Sequence, residues 1–248
     1  VWIGPAYGYD PGYRAERITE LINSKPTLDI NDMKAIQADS LSIPARILTS
    51  YILNTYTKPI ADPWINETIE YLESWDYKAL RDSVAALIFE VWLEKFGNNT
   101  FFDEFGAYGL YPFPDPMIPL RNMTEGYPTS PFSAFLFDDK STPLVTETRD
   151  DIIRKSLNDT INWLKVRFNS TDPSNMTTWE YGALHKVQFE HTMGSVLPFL
   201  NVPLAPVGCD GDTFTVDPGG HEHKLIGLTD ILYVDSGASY RGIYECKD

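Results

Sequence analysis

Three short stretches carry residue types that could do chemistry. Gly237-Ala238-Ser239-Tyr240-Arg241 flanks its Ser in the manner of a nucleophile elbow. Such an elbow needs a second Gly where this chain has Arg241, and a sharp strand-to-helix turn. The residues sit in a run that reads as strand, so no serine-hydrolase triad is expected at Ser239. His221-Glu222-His223 places two imidazoles where a strand would put them on one face as metal ligands. Gly219-Gly220 directly before them favours a solvated turn instead. His185 and His191 lack a Glu at metalloprotease spacing and read as core or loop residues. Cys209 and Cys246 are too few for a disulfide scaffold and wrongly spaced for zinc. They form either one bridge or two buried thiols. The aromatic content of 13% could line an acyl or ring pocket, although most of it must be core.

Composition narrows the partners. The 248 residues are 43% hydrophobic and 22% charged, enough for a packed core of one large or two small domains. The 20 basic and 35 acidic residues give a net charge of −15, which repels phosphate backbones and excludes a nucleic-acid partner. The charge serves solubility or adapts the protein to an acidic or saline exterior. No apolar run approaches the ~18–20 residues that span a bilayer. Residues 1–12 hold no basic cluster followed by an apolar stretch and do not read as a signal peptide. The absence of an initial Met leads us to expect that upstream sequence has been removed. Asn66, Asn98, Asn122, Asn158, Asn169 and Asn175 each begin an Asn-x-Ser/Thr triplet. Chance predicts roughly two such triplets from 12 Asn and 35 Ser plus Thr, so six point to a glycosylated, extracytoplasmic or secreted protein.

The elements that must position these residues divide along the chain. Apolar spacing predicts a helix over residues 14–25, with Ile18, Leu21 and Ile22 on one face and Pro26 as its stop. A second helix, capped by Asp29 or Asn31, presents Met33, Ile36 and Leu41, and Pro44 restarts or kinks the chain. Asp62-Pro63 opens a third, and the broad face of Val84, Leu87, Ile88, Val91 and Trp92 ends with Gly97 as a C′ residue. Residues 106–131 carry six prolines and read as a long functional or packed loop. Thr148 and Asp151 then open another helix. Beyond residue 180 the period becomes strand-like at 185–189, 213–216, 231–234 and 239–244. The expected organisation is α+β: a helical region at 1–105, the Pro-rich loop at 106–131, a helical region at 132–178 and a strand-rich region at 179–248.

Several local patterns occur in a fixed order: Tyr13-Arg14-Ala15-Glu16-Arg17-Ile18, Met33-Lys-Ala-Ile36-Gln37-Ala-Asp39, Trp75-Asp76, Thr178-Trp179-Glu-Tyr-Gly182-Ala-Leu-His185, Pro206-Val-Gly208-Cys-Asp210-Gly-Asp-Thr213 and Gly237-Ala-Ser239-Tyr240-Arg241. Together they resemble the later part of the β-chain of the penicillin acylase (penicillin amidase) family of N-terminal-nucleophile hydrolases. The resemblance implies an αββα sandwich and a precursor that cleaves itself to expose an N-terminal Ser. That Ser attacks an N-acyl amide with its own α-amine as base, while a backbone N–H and an Asn hold the oxyanion. An α-amine with a pKa near ~8 is a working base close to neutral pH. The family's Arg beside the nucleophile corresponds to Arg14, the candidate catalytic residue, whose fixed donors can orient the oxyanion Asn. Arg17 competes for that role by a register shift and more readily faces solvent or an internal acid. Without the resemblance, Arg14 reads as a surface partner of Glu16 or Asp10.

The departures from the family are equally specific. Val1 has no hydroxyl, and no Asn precedes Arg14. The expectation is therefore a fragment of the hydrolase, inactive alone, whose natural chain continues beyond Asp248. Its partners would be the remaining α- and β-chain segments of the same precursor and a small-molecule N-acyl amide substrate. The family's calcium ligands lie mainly upstream, so calcium belongs to the full-length protein. Trp75-Asp76, the Gly208–Gly211 turn, His185 and Arg241 read as structural, the last two as buried network members. A glycosylated extracellular binding module without enzymatic activity is the alternative, and a structural subunit a third reading.

Overall fold

A computed structural model describes residues 11–106, 124, 126, 129–142, 144–221, 231–238 and 240–244. Val1, most of the 106–131 loop, Asn122, Glu222, His223, Ser239 and Cys246 lie outside the described residues. The chain is α+β, helical first and stranded afterwards. The helices are α1 (Tyr13–Asn23), α2 (Ile30–Gln37), α3 (Ile43–Asn54), α4 (Pro63–Glu73), α5 (Val84–Phe105), α6 (Pro131–Phe137) and α7 (Arg149–Arg167). Short 3-10 turns at Pro173–Thr178 and Tyr181–Ala183 lead into β1 (His185–Phe189). The other strands are β2 (Val202–Gly208), β3 (Gly219–His221) and β4 (Leu232–Gly237).

Helix starts follow the capping chemistry of the sequence. Asp29 and Asp32 form a capping box on α2, and Thr148 and Asp151 form one on α7. Asp62 accepts from the Trp64 and Ile65 amides at 2.8 and 3.2 Å, with Pro63 fixing the first φ of α4. Ser83 accepts from the Ala86 amide at 3.1 Å and begins α5.

α5 departs from expectation. It runs straight through Gly97 to Phe105, because the turns on either side of that Gly bury Phe96, Thr100 and Phe101. An interior Gly costs about 1 kcal/mol in a helix, less than the burial of one large aromatic contributes. From Ala85 to Glu94 every residue of α5 is buried, so its first half is covered by neighbours on all sides. Trp92 reaches α7 through a hydrogen bond from its indole N–H to the Ile153 carbonyl at 3.3 Å. Phe89, Trp92, Phe96 and Phe137 continue as a row of rings at 4.7–6.3 Å.

The sheet has the order β2-β1-β4-β3. β1 pairs antiparallel with β2 (Lys186 opposite Gly208) and parallel with β4 (His185 opposite Leu232), and β4 pairs antiparallel with β3. β2 carries Pro203 and Pro206, which hid it from a strand reading and which an edge strand tolerates. Two expected strands are absent. Residues 213–216 are a turn, in which Asp212 accepts from the Phe214 amide at 2.6 Å and the Thr215 hydroxyl from the Asp212 amide at 2.9 Å. These local bonds satisfy the backbone in place of a ladder. Tyr240–Tyr244 lies outside any strand. His221, expected in a solvated turn, is instead 5% exposed within β3.

The backbones of Gly182 and Gly208 touch where the 3-10 turn before β1 meets the end of β2. A Cβ on Gly208 would lie 2.7 Å from the Gly182 carbonyl oxygen and 2.9 Å from its Cα. Gly208→Ala is expected to destabilise the fold by about 1–3 kcal/mol through overpacking. Equilibrium urea unfolding checks this, and an unchanged midpoint would show that the contact relaxes freely.

Candidate functional site

Arg14 is the second residue of α1 and is half-buried. Gly12, at φ 87°, turns the chain into the helix. Tyr13 then anchors it, only 1% exposed and edge-on to Phe214 at 5.6 Å. Arg14 therefore emerges where α1 is pinned to the 212–217 turn. One helical turn later Arg17 faces an internal acid: its Nε and Nη2 each donate to Asp39 at 2.9 Å, and its Nη1 to Glu20 at 2.9 Å. Glu20 also accepts from Arg46 at 2.6 Å. Hydrogen bonds from Arg46 and then Arg17 lower the Glu20 carboxyl to about 2, and the bond with Asp39 raises the Arg17 guanidinium. Arg17 is thus committed to holding α1 against the end of α2, because a two-pronged guanidinium–carboxylate pair fixes orientation as well as distance.

The same corner gathers several of the other ordered patterns. The Asp217 amide donates to the Asp39 carbonyl at 2.9 Å. Arg241 binds the Asp217 carboxylate and the Gln37 carbonyl, and the Gln37 side chain returns a bond to the Gly242 carbonyl at 3.2 Å. Arg241 is a network member as expected, but it is exposed and not buried. Trp75 is buried, its indole N–H donating to the Lys78 carbonyl at 3.0 Å, while Asp76 accepts from the Lys78 amide at 3.2 Å. The loop so shaped lets the Ala79 amide bond Ser40 and the Ala79 carbonyl accept from Gly211 at 2.7 Å. Asp210 caps it, accepting from the Arg81 amide at 2.7 Å and from the Arg81 guanidinium. Arg81 had no signal in the sequence, since its partner lies 129 residues away. Asp39 entered the sequence reading only as the last residue of an ordered pattern, with no role assigned.

The second cluster is buried behind β1. His185 is fully buried and stacks on Tyr181 at 4.4 Å. Its Nε2 lies 2.8 Å from the Gly219 carbonyl, and its Nδ1 lies 3.1 Å from the Cys209 carbonyl and 3.3 Å from the Cys209 sulfur. Burial holds the imidazole below its ordinary value, so the ring is neutral and carries one N–H. That N–H donates to a carbonyl, Gly219 from Nε2 or Cys209 from Nδ1, and the Cys209 thiol lies against Nδ1. Burial, with the Asp210 charge adding to it, pushes the Cys209 thiol up to about 11. A thiol that keeps its proton is not a nucleophile, and Cys209 is free. This Cys–His pair therefore serves structure, tying β1, the 209–211 turn and β3 together. His221 stands edge-on to His185 at 5.3 Å, and its Nε2 is 3.8 Å from the buried Glu90 carboxylate. His191 is exposed, its Nδ1 accepting from the Met193 amide.

Among the described residues no group of three or more His, Cys, Asp or Glu is arranged to hold a metal ion. Asp39, Asp210 and Asp217 are each engaged by a guanidinium or a main-chain amide. The described residues thus offer no ligand set for the calcium that the resemblance implied. No described helix is long and apolar enough to cross a membrane.

His185 sets a pH dependence. Its unfolded form titrates at the ordinary 6.5 and its folded form lower, so the unfolded chain binds the extra proton. The stability from the neutral ring is complete above that value and is lost as pH falls through the folded one. Between about pH 7 and about pH 5, Tm is expected to fall more steeply in the wild type than in His185→Gln. Glu20 contributes only in a lower window, between 4.5 and about 2. Equal slopes by differential scanning fluorimetry would place the titrating group elsewhere.

The arrangement is a scaffold in which guanidinium–carboxylate pairs and main-chain bonds fix the start of α1. The described residues show no nucleophile poised beside a base. No curated protein matches the chain. The family model described as penicillin amidase matches residues 3–248. The order of the motifs and this match along nearly the whole chain carry one conclusion: the chain belongs to the penicillin amidase family.

Proposed function

We propose that this chain is the later β-chain part of an N-acyl amide hydrolase whose nucleophile is supplied by another segment of the same precursor, with Arg14 as a positioning residue beside that nucleophile. Family membership makes the protein an amide hydrolase in general terms. The observation that carries the finer reading is the placement of Arg14. It sits half-buried at a helix start held by Tyr13, one turn ahead of the Arg17–Asp39 pair. A guanidinium there is a fixed, permanently charged group at the end of a pinned helix.

The sheet supports the same reading. Phe189, Val196, Phe199, Leu204 and Val207, on β1, β2 and the segment between them, are exposed. A concentration of large apolar side chains at a sheet edge marks a surface made to be covered. In this reading the remaining precursor segments cover it and bring the nucleophile to the α1 corner. The attacking hydroxyl loses its proton to its own α-amine, the oxyanion is held by an Asn and a backbone N–H, and the protonated amine product leaves. Arg14 acts by holding the Asn amide in the orientation that stabilises the oxyanion.

Two measurements test this. The purified 248-residue chain is expected to show no turnover of chromogenic N-acyl amides. Turnover abolished by a substitution within the chain would relocate the active site. In the full-length enzyme, Arg14→Ala is expected to lower kcat on the order of 10- to 100-fold with KM and Tm little changed, since misaligning an oxyanion donor costs somewhat less than deleting it. Arg14→Lys should recover only part of kcat. An unchanged kcat would return Arg14 to an ordinary ion-pairing role.

A further inference from the structure

The six Asn-x-Ser/Thr triplets take no part in the amidase reading, and the fold treats them unequally. An N-linked glycan needs the Asn amide nitrogen and the hydroxyl two residues later on an accessible surface loop. Three triplets lie inside helices. In α4 the Asn66 Nδ2 donates to Glu70 at 2.8 Å, while Thr68 is fully buried with its hydroxyl on the Trp64 carbonyl. In α7 the Asn158 Nδ2 donates to the Arg154 carbonyl at 3.0 Å, and buried Thr160 bonds Ser156. In α5 the Asn98 amide oxygen is buried, and buried Thr100 bonds Phe96. Asn175 is exposed, but its side-chain oxygen accepts from the Thr171 and Asp172 amides as part of a capping box.

Asn169 differs from these. It follows the end of α7 at φ 50°, a left-handed conformation that carries the chain out of the helix. Ser170 turns inward, 7% exposed, its hydroxyl accepting from the Trp179 indole N–H at 2.9 Å and its amide bonding the Lys165 carbonyl. With Ser170 anchored, Asn169 and Thr171 on either side are both exposed. The acceptor amide and the required hydroxyl therefore face solvent together on a turn held in place by the residue between them.

We propose that Asn169 is an N-glycosylation site of this protein, and that the triplets within helices stay unmodified. The donor class is a lipid (pyro)phosphate-linked oligosaccharide, used by the oligosaccharyltransferase of a secretory membrane. The Asn169 Nδ2 attacks the anomeric carbon, the N–C bond forms, and the C–O bond to phosphate breaks. The lipid phosphate leaves, one amide proton passes to the transferase base, and no redox change occurs.

The test is glycopeptide mapping of the full-length protein secreted by a glycosylating eukaryotic host. Enzymatic deglycosylation in heavy-oxygen water converts a glycan-bearing Asn to labelled Asp. Label is expected at Asn169, with none at Asn66, Asn98 or Asn158. Asn169→Gln and Thr171→Ala should each remove the same single glycan without a change in Tm, the second leaving the Asn in place. An unlabelled Asn169 in secreted protein overturns the proposal, and so does label at a helical triplet.

Discussion

The fold rests on the burial of α5. A helix of 22 residues whose stretch from Ala85 to Glu94 is buried at every position is stable only when neighbours cover that stretch all round. α4, α6, α7 and the turns before β1 are packed around it, and their rings and aliphatic side chains form one continuous core from Tyr13 to Leu232. This explains how Gly97 and Asn99 survive in its interior. The Asn99 amide bonds Ser156 and Asp159 of α7 at 3.0 and 2.9 Å, so even a poor helix former is held by a tertiary contact. Buried Glu90 carries the influence of α5 into the sheet by meeting His221.

Onto this core the strand region is joined by contacts that tolerate little variation. The Gly182–Gly208 approach leaves no room for a side chain, and neutral His185 bridges two carbonyl-bearing turns through a single N–H and a thiol. The start of α1 is fixed by a different kind of force, the paired carboxylates and guanidinium groups of Arg17, Asp39, Asp217 and Arg241. Partly exposed pairs of this kind contribute little stability each. Their joint effect is directional, holding α1, α2 and the 212–217 turn in one register around Arg14.

The exposed apolar face of β1 and β2 and the acidic composition fit together in this picture. The net charge of −15 makes like molecules repel one another, which opposes indiscriminate association through the exposed apolar side chains of β1 and β2. Pro203 and Pro206 remove amide donors from β2, so its outer edge is a poor template for indiscriminate strand pairing.

The sequence by itself determined several helix starts, because a cap and its amide donors lie within three residues: Asp29 (against Asn31), Asp62 and Thr148 were readable locally, whereas the Ser42 and Ser83 caps emerged only in the structure. It also determined the family, through short patterns kept in order, and left Arg17 facing either solvent or an internal acid, a choice the Asp39 pairing settled. Tertiary structure decided where α5 ends, since burial of Phe101 and Thr100 outweighs a local stop signal at Gly97. It decided that 213–216 is a turn, that proline-bearing 202–208 is a strand, and that His221 is buried. Those outcomes depend on partners tens to hundreds of residues away, as with Arg81 and Asp210 or Gln37 and Gly242. Local propensity is worth a fraction of a kcal/mol per residue, and burial of one large side chain contributes about 1.5–3 kcal/mol. Where the two conflict, packing wins, and no local pattern records which distant residue will supply it.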